Sequence, residues 1–282
     1  MNPQYPLARS PEALAIALLA PLRTRLVGRS SPFLLGLSGL QGSGKSTLAA
    51  GLVECGRAFG TVALSLDDFY LTRTERNALA RRVHPLFATR GVPGTHDLVL
   101  LHATLDALAT ASPKQPAWLP VFDKGRDEPV APEQWQAVTS APALIVLEGW
   151  CLGLPAQSEI ALLEPVNALE RDEDADARWR RHVNAQLAGQ YAKLWCRLDH
   201  LVLLAAPSFT VVERWRGQQE QALRRAAAPQ AMDAASLRRF IAHYERLSRH
   251  ALAVLPALAD TVVSLDADRG VLDIRSGART RA

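Results

Sequence analysis

Gly39-Leu40-Gln41-Gly42-Ser43-Gly44-Lys45-Ser46 is the stretch from which the fold of this chain can be read. It follows the apolar run Phe33 to Leu37 and opens a helical pattern from Lys45 to Arg57. The spacing is G-x-x-x-x-G-K-[ST], with a strand before it and a helix after it, as that motif requires. Its glycines let the backbone curl until successive N–H groups point inward at phosphate oxygens. The helix N-terminus behind them adds a partial positive charge. In that geometry Lys45 reaches the β- and γ-phosphates and the Ser46 hydroxyl ligates Mg²⁺. A glycine-rich turn carrying a surface lysine is the bland alternative. The expected nucleotide-binding set is Gly39 to Gly44 with Lys45, Ser46 and Thr47.

Outward from this loop, short apolar runs alternate with helical patterns, the signature of a buried parallel sheet covered by helices. Strand candidates are Phe33 to Leu37, Val62 to Leu66, Leu144 to Leu147, Leu201 to Leu204 and Val262 to Leu265. Each is nearly continuous in apolar residues, as strands buried on both faces should be. Helical patterns cover Lys45 to Arg57, Asp97 to Ala109, Asn167 to Leu198, Thr210 to Arg225 and Ala234 to Leu255. Ser10-Pro11-Glu12 reads as an N-cap, a proline at N1 and an acid in the first turn, so residues 10–26 form a packing helix. Residues 113–142 carry six prolines and little periodicity, and read as a long functional loop. The acidic run Glu170 to Asp176 reads as a solvated helix start rather than a metal site.

The chain has 282 residues, 48% of them hydrophobic and 21% charged, the balance of an ordinary globular protein. This length suits one large domain or two small ones, and the whole of residues 1–282 is read as one. The net charge of +4 is small and the basic residues form no run of five, so nucleic acid is not an expected partner. Cys55, Cys151 and Cys196 lie outside any CxxC pattern, which fits a reducing cytoplasm and excludes a disulfide framework. The most apolar N-terminal stretch, Ala13 to Leu22, is too short to span a bilayer, so no membrane contact is expected. The oligomeric state is not legible.

Two further strand ends carry acids. Asp67 and Asp68 follow the second strand candidate, and Glu148 closes the third. Ligands of open α/β sheets sit beyond the carboxyl ends of the strands, so these acids face the phosphates. There an acid holds a metal or takes a proton from an attacking hydroxyl; the alternative is that Asp67 or Asp68 only caps the next segment. No N-K-x-D guanine motif occurs.

Asp67-Asp68-Phe69-Tyr70 resembles the D-x-F-Y element of the uridine kinase, phosphoribulokinase and pantothenate kinase superfamily. More closely, four elements in order resemble the P-loop D-glycerate 3-kinases of plants and fungi and their bacterial relatives. These are the loop at Gly39 to Ser46, the segment Ser65 to Thr72, Arg90-Gly91-Val92-Pro93-Gly94-Thr95-His96-Asp97, and Glu148-Gly149-Trp150-Cys151-Leu152-Gly153. Glu213-Arg214-Trp215-Arg216 with Gln218 and Glu220 is a fifth, weaker match.

The resemblance implies a P-loop kinase fold, a five-stranded parallel sheet with helices on both faces and a helical lid at residues 207–228. It implies an ATP-dependent kinase with Mg²⁺, phosphorylating a hydroxyl of a small hydroxy acid, D-glycerate above others. Asp67 would be the general base beside Lys45, with Ser46 and Glu148 at the metal. Tyr70, Arg90, His96 and Asp97 would line the acceptor pocket, although Asp97 is equally well placed to N-cap the helix after it. Phe122-Asp123-Lys124 resembles the family's [YF]-D-K element, but the residues after it are shorter than in the plant form. Lys124 and Arg126 are the cations suited to a carboxylate, or else solvated surface charges. One of Arg214 and Arg216, ahead of the lid, would stabilise the transferring phosphoryl. The rivals are a kinase of the same superfamily with a nucleoside or pantothenate acceptor, and a regulatory or metal-chaperone NTPase.

Overall fold

The computed structural model describes residues 10–225 and 232–277. Its six-stranded sheet has strands β1 (Phe33–Gly39), β2 (Thr61–Ser65), β3 (Leu144–Gly149), β4 (His200–Ala205), β5 (Thr261–Leu265) and β6 (Val271–Ser276), in the order β6-β5-β4-β1-β3-β2. The first five run parallel, as the apolar runs predict. The sixth, which the sequence reading lacks, pairs antiparallel with β5 at the edge. Its burial explains the omission: only Ile274 is buried, so no continuous apolar run marks it.

The period of two along each strand divides the interior into two cores. Phe33, Leu35 and Leu37 of β1, with Leu144 and Val146 of β3, face α1 (Pro11–Leu19) and α2 (Lys45–Cys55). Leu34, Ile145 and Leu147 face the other way, toward α4 (Leu98–Ala109) and the middle of α7 (Ala234–Leu258). Side chains on alternate faces of buried strands leave both faces apolar. From β1 the chain crosses to β2, returns to β3 and then moves to the opposite side of β1. That reversal opens a crevice beyond the carboxyl ends of β1 and β3.

Several expected segments differ. The 167–198 pattern is not one helix: it breaks after Ala168–Glu173, restarts as α5 (Arg178–Gln186) and passes through a π turn at Leu187–Tyr191. The break comes from Asp174, whose carboxylate accepts the backbone N–H groups of Trp179 and Arg180 at 2.8 and 3.2 Å. An aspartate that caps a new helix end competes with continuation of the old one. Nor is the acidic run solvated throughout. Glu170 and Asp174 are buried, paired with Arg246 and Arg180. A further helix, α3 (Arg73–Arg82), was not expected, because its mostly polar residues hide the apolar period; its capping box of Thr72 and Glu75 was the available signal. Residues 113–142 are irregular but carry two short ribbons, Ala117–Leu119 with Gln136–Val138 and Phe122–Asp123 with Glu128–Pro129. The segment expected to form a lid contains α6 (Val211–Arg225); residues 226–228 lie outside those described. No helix among the described residues is long and apolar enough to cross a membrane.

Candidate active site

The glycine-rich loop turns as its sequence demands. Gly42 and Gly44 have φ of +80° and +91°, in the left-handed region where a side chain is strained. At Gly42 there is also no room, since a Cβ would stand 2.6 Å from Cβ of Trp215 on α6. Trp215 is fully buried and its indole N–H donates to Ala267 O at 2.9 Å. Lys45, buried at the start of α2, donates back to Leu40 O at 3.0 Å. Burial lowers its pKa, with Glu148 and Asp67 opposing.

At the ends of β2 and β3 the acids meet the loop. Glu148 is buried, and its Oε1 accepts the Ser46 hydroxyl at 2.8 Å and the Ser65 hydroxyl at 3.0 Å. This pairing of hydroxyl and carboxylate oxygens is the donor chemistry that suits Mg²⁺. Gln41 adds a buried amide with neither its nitrogen nor its oxygen hydrogen-bonded, and Ser43 Oγ is orphaned too. Buried polar atoms without partners beside such a loop fit a polyphosphate ligand.

Asp67 sits in a 3₁₀ turn, Leu66–Phe69, capped by the Ser65 hydroxyl accepting its N–H. One carboxylate oxygen takes the Tyr70 hydroxyl at 2.7 Å and the other takes Lys124 Nζ at 2.8 Å. Burial alone would raise its pKa, but the charge and hydrogen bond of Lys124, with the Tyr70 hydroxyl, bring it down to about 2. Asp68 plays a different part. It accepts the Phe122 N–H at 3.2 Å and so ties the hairpin carrying Lys124 to the sheet, while burial raises its pKa.

A cleft of about 180 Å³ brings together Gln41, Lys45, Asp67, Tyr70, Arg90, Lys124, Glu148 and Arg216. Of the two arginines on α6, Arg216 lines this cleft, its guanidinium 5.4 Å from the Phe240 ring centre. Arg214 points elsewhere and pairs with Asp268 at 3.2 Å. Arg90 binds Asp127 and donates to Lys124 O at 3.3 Å.

Three residues expected in the acceptor pocket stand outside its lining. His96 is buried behind Tyr70, with stacked rings 4.6 Å apart and its Nδ1 2.6 Å from the Tyr191 hydroxyl. Burial lowers its pKa to about 4. Asp97 caps α4, accepting the Leu100 N–H at 2.8 Å. Arg126 is 86% exposed and lies against Asp123.

Other cleft residues escaped the sequence reading. Trp150 donates to Gly91 O at 3.1 Å, and the Tyr244 hydroxyl donates to Arg90 O at 3.2 Å, fixing the loop that presents Arg90. Gly91, at φ +135°, passes so close to Tyr244 that any Cβ would overlap the ring. Tyr244 comes from α7, far along the chain, and no local pattern announces it. Arg269, outside the cleft, is a third omission. It lies 5.1 Å over the Trp215 ring centre and donates to Gly42 O at 2.5 Å, beside Thr47 in a separate groove of about 200 Å³.

The chain is 36% identical over 223 residues to mug58, an uncharacterized kinase of Schizosaccharomyces pombe, covering 76% of this chain and 78% of that one. Its fold matches that of a D-glycerate 3-kinase from Cryptococcus neoformans var. grubii serotype A at a TM-score of 0.75 and 24% identity, covering 94% of this chain and 97% of the other. The YGR205w protein matches at a TM-score of 0.73 and 24% identity, over 95% and 98% of the two chains. No protein-family model matches.

Proposed function

With the chain belonging to the P-loop kinase family of mug58, we propose that it transfers the γ-phosphoryl of ATP to a hydroxyl of a small hydroxy acid, specifically D-glycerate to 3-phosphoglycerate. The observation that carries this reading is the charge pattern of the cleft. Asp67 stands between Lys45 on the nucleotide side and Lys124 and Arg90 on the other, so a hydroxyl and a carboxylate of one short molecule find matching groups. The fold shared with a D-glycerate 3-kinase supports the choice of acid.

The glycine-rich loop takes the phosphates on its N–H groups, and Lys45 exchanges its bond to Leu40 O for the β- and γ-oxygens. The groove beside Thr47 and Arg269 lies next to the loop and takes the nucleoside. Ser46 and Glu148 would hold Mg²⁺, which would supply charge neutralisation on the phosphates. The acceptor hydroxyl donates to Asp67, which Tyr70 orients. A carboxylate with so low a pKa is a weak base. Its contribution is alignment of the hydroxyl and uptake of the proton late in a loose transition state, where positioning and charge supply most of the acceleration. Arg216 lies across the cleft as the cation for the transferring phosphoryl.

An ATP-coupled assay against glycerate, glycerol, uridine and pantothenate tests the reading. Glycerate should exceed glycerol by about 30-fold or more in kcat/KM, because glycerol has no anion to meet Arg90 or to draw Lys124 from Asp67. Turnover with uridine or pantothenate and none with glycerate would overturn it.

A further inference from the structure

Both oxygens of Asp67 are engaged by protein groups, Oδ1 by Tyr70 and Oδ2 by Lys124. The two partners differ in freedom. Tyr70 is buried and stacked on His96, whereas the Lys124 side chain is 56% exposed. The hairpin beneath Lys124 is fixed from three directions. Asp68 holds Phe122 N, Arg73 donates to Arg126 O at 2.8 Å, and Asp127 receives both Arg76 and Arg90. Lys124 is therefore a flexible four-carbon stem on a rigid mount, free to leave Asp67 without any backbone movement.

An acceptor carboxylate entering between Lys124 and Arg90 competes for the ammonium; water, being neutral, does not. We propose that Lys124 is a positioning residue that keeps Asp67 occupied until an anionic acceptor draws it away, so that ATP is not spent on water. The anionic class of the acceptor rests on the function proposed above, while the restraint on hydrolysis does not. In the suppressed reaction a water oxygen bonds to the γ-phosphorus. The bond from that phosphorus to the β–γ bridging oxygen breaks with its electron pair going to ADP, and the water proton passes to Asp67 and then to solvent, leaving inorganic phosphate. With Lys124 on Oδ2, the ammonium occupies one of that oxygen's acceptor sites, and its charge makes the oxygen a poorer acceptor of the water's proton. In the productive reaction the acceptor hydroxyl takes the water's place and loses its proton to the same oxygen.

The electrostatic surroundings of Asp67 make this readable. It faces Lys124 from the hairpin, Asp68 and Tyr70 from its own segment, and Lys45 from α2. Glu148 and Cys151 face it from the end of β3, His96 from the loop before α4, and Tyr244 from α7. Lys124 is the exposed cation of this set, so its removal leaves burial to push the Asp67 pKa upward.

The test measures phosphate release from Mg·ATP without acceptor, using the full chain as wild type, Lys124→Met and Lys124→Arg. Lys124→Met should raise hydrolysis at least about tenfold, a part of the 10²–10⁴ a positioned base contributes, and move the acid limb of its pH profile upward. Lys124→Arg, which keeps a cation on the hairpin, should return most of the difference. Propionate, a carboxylate without a hydroxyl, should stimulate hydrolysis by the wild type and leave Lys124→Met unchanged. The wild-type half of that arm needs no variant to fold. Hydrolysis by Lys124→Met at or below the wild-type rate with ADP affinity retained, or a wild type indifferent to propionate, would overturn the proposal. A rise in Lys124→Met without transfer to any short hydroxy acid would remove the acceptor assignment and leave the restraint standing. Glycerate transfer without that rise would do the reverse.

Discussion

On the nucleotide side of the cleft, Lys45 and Ser46 open α2 just behind β1, and Glu148 stands on β3, which pairs with β1 through a continuous parallel ladder. On the acceptor side, Arg90 and Lys124 come from a loop and a two-residue ribbon that reach the sheet through side chains: Asp68 to Phe122 N, Trp150 to Gly91 O, Tyr244 to Arg90 O. Asp127 joins this second assembly. It sits at φ +59° and gathers Arg73, Arg76 and Arg90 on one carboxylate. A site half built on the sheet and half on ion pairs can keep its phosphate chemistry while its acceptor pocket varies, which is how one fold serves several acceptors.

The sharpest way to separate the sides is to remove one group from each. Asp67→Asn should lower kcat by about 10²–10⁴, the range for a positioned base, with ADP affinity nearly unchanged, because the carboxylate touches Tyr70 and Lys124 and not the loop. Asp68→Asn should be milder, since Asp68 acts through the hairpin. Lys45→Met should cost at least about 10²–10³ with every acceptor alike, the loss typical of one preorganised donor, and should also weaken nucleotide binding. Steady-state kinetics with isothermal titration of ADP measures both. Loss of ADP affinity in Asp67→Asn, or acceptor-dependent losses in Lys45→Met, would break the division.

Asp127→Ala strikes the acceptor side alone. Arg76 is fully buried, and stranding it costs about 2–4 kcal/mol, below the 3–5 of a fully enclosed pair because Asp127 is 27% exposed. Denaturant unfolding should report that loss, and the KM for the acceptor should rise while the ADP Kd holds. An unchanged acceptor KM would mean that the hairpin is not what places Lys124.

The same contrast explains how far the sequence could be read. The nucleotide side is nearly contiguous: Gly39 to Ser46 carries its own geometry, the apolar runs of β1, β2 and β3 announce a sheet buried on both faces, and Glu148, which meets Ser46 across 102 residues, is marked by the end of such a run. The acceptor side is assembled from positions far apart. Asp127 meets Arg76 across 51 residues and Tyr244 meets Arg90 across 154, distances over which no period or motif speaks. Arg126 and Lys124 are neighbours on one turn, yet one faces solvent and the other Asp67, a choice made by the hairpin's twist and not by composition. The edge strand β6 and the polar helix α3 were hidden for a simpler reason: each buries too little to show a pattern.

His96 offers the finest test of the contrast, because it is a buried group of the acceptor side that titrates. Its pKa falls from 6.5 to about 4 by burial, with the charge of Asp67 opposing. Between those two values the unfolded chain binds a proton that the folded chain refuses. Stability from this group is therefore whole above pH 6.5 and is lost as the pH falls toward 4, by about 3 kcal/mol in all. His96→Phe keeps a ring against Tyr70 and removes the proton site. The variant gives up the bond to the Tyr191 hydroxyl, a constant loss of about 1 kcal/mol, but its stability should fall less steeply with acid than that of the wild type. Urea unfolding at intervals from pH 4.5 to 7.5 measures the two slopes, and the other histidines contribute alike to both proteins. Because the folded His96 stays neutral down to about pH 4, its protonation should leave the acceptor KM of the wild type unmoved between pH 6.5 and 5. Parallel slopes for the two proteins would mean that His96 is as easily protonated in the fold as outside it, and the acceptor side would then lose its buried support behind Tyr70.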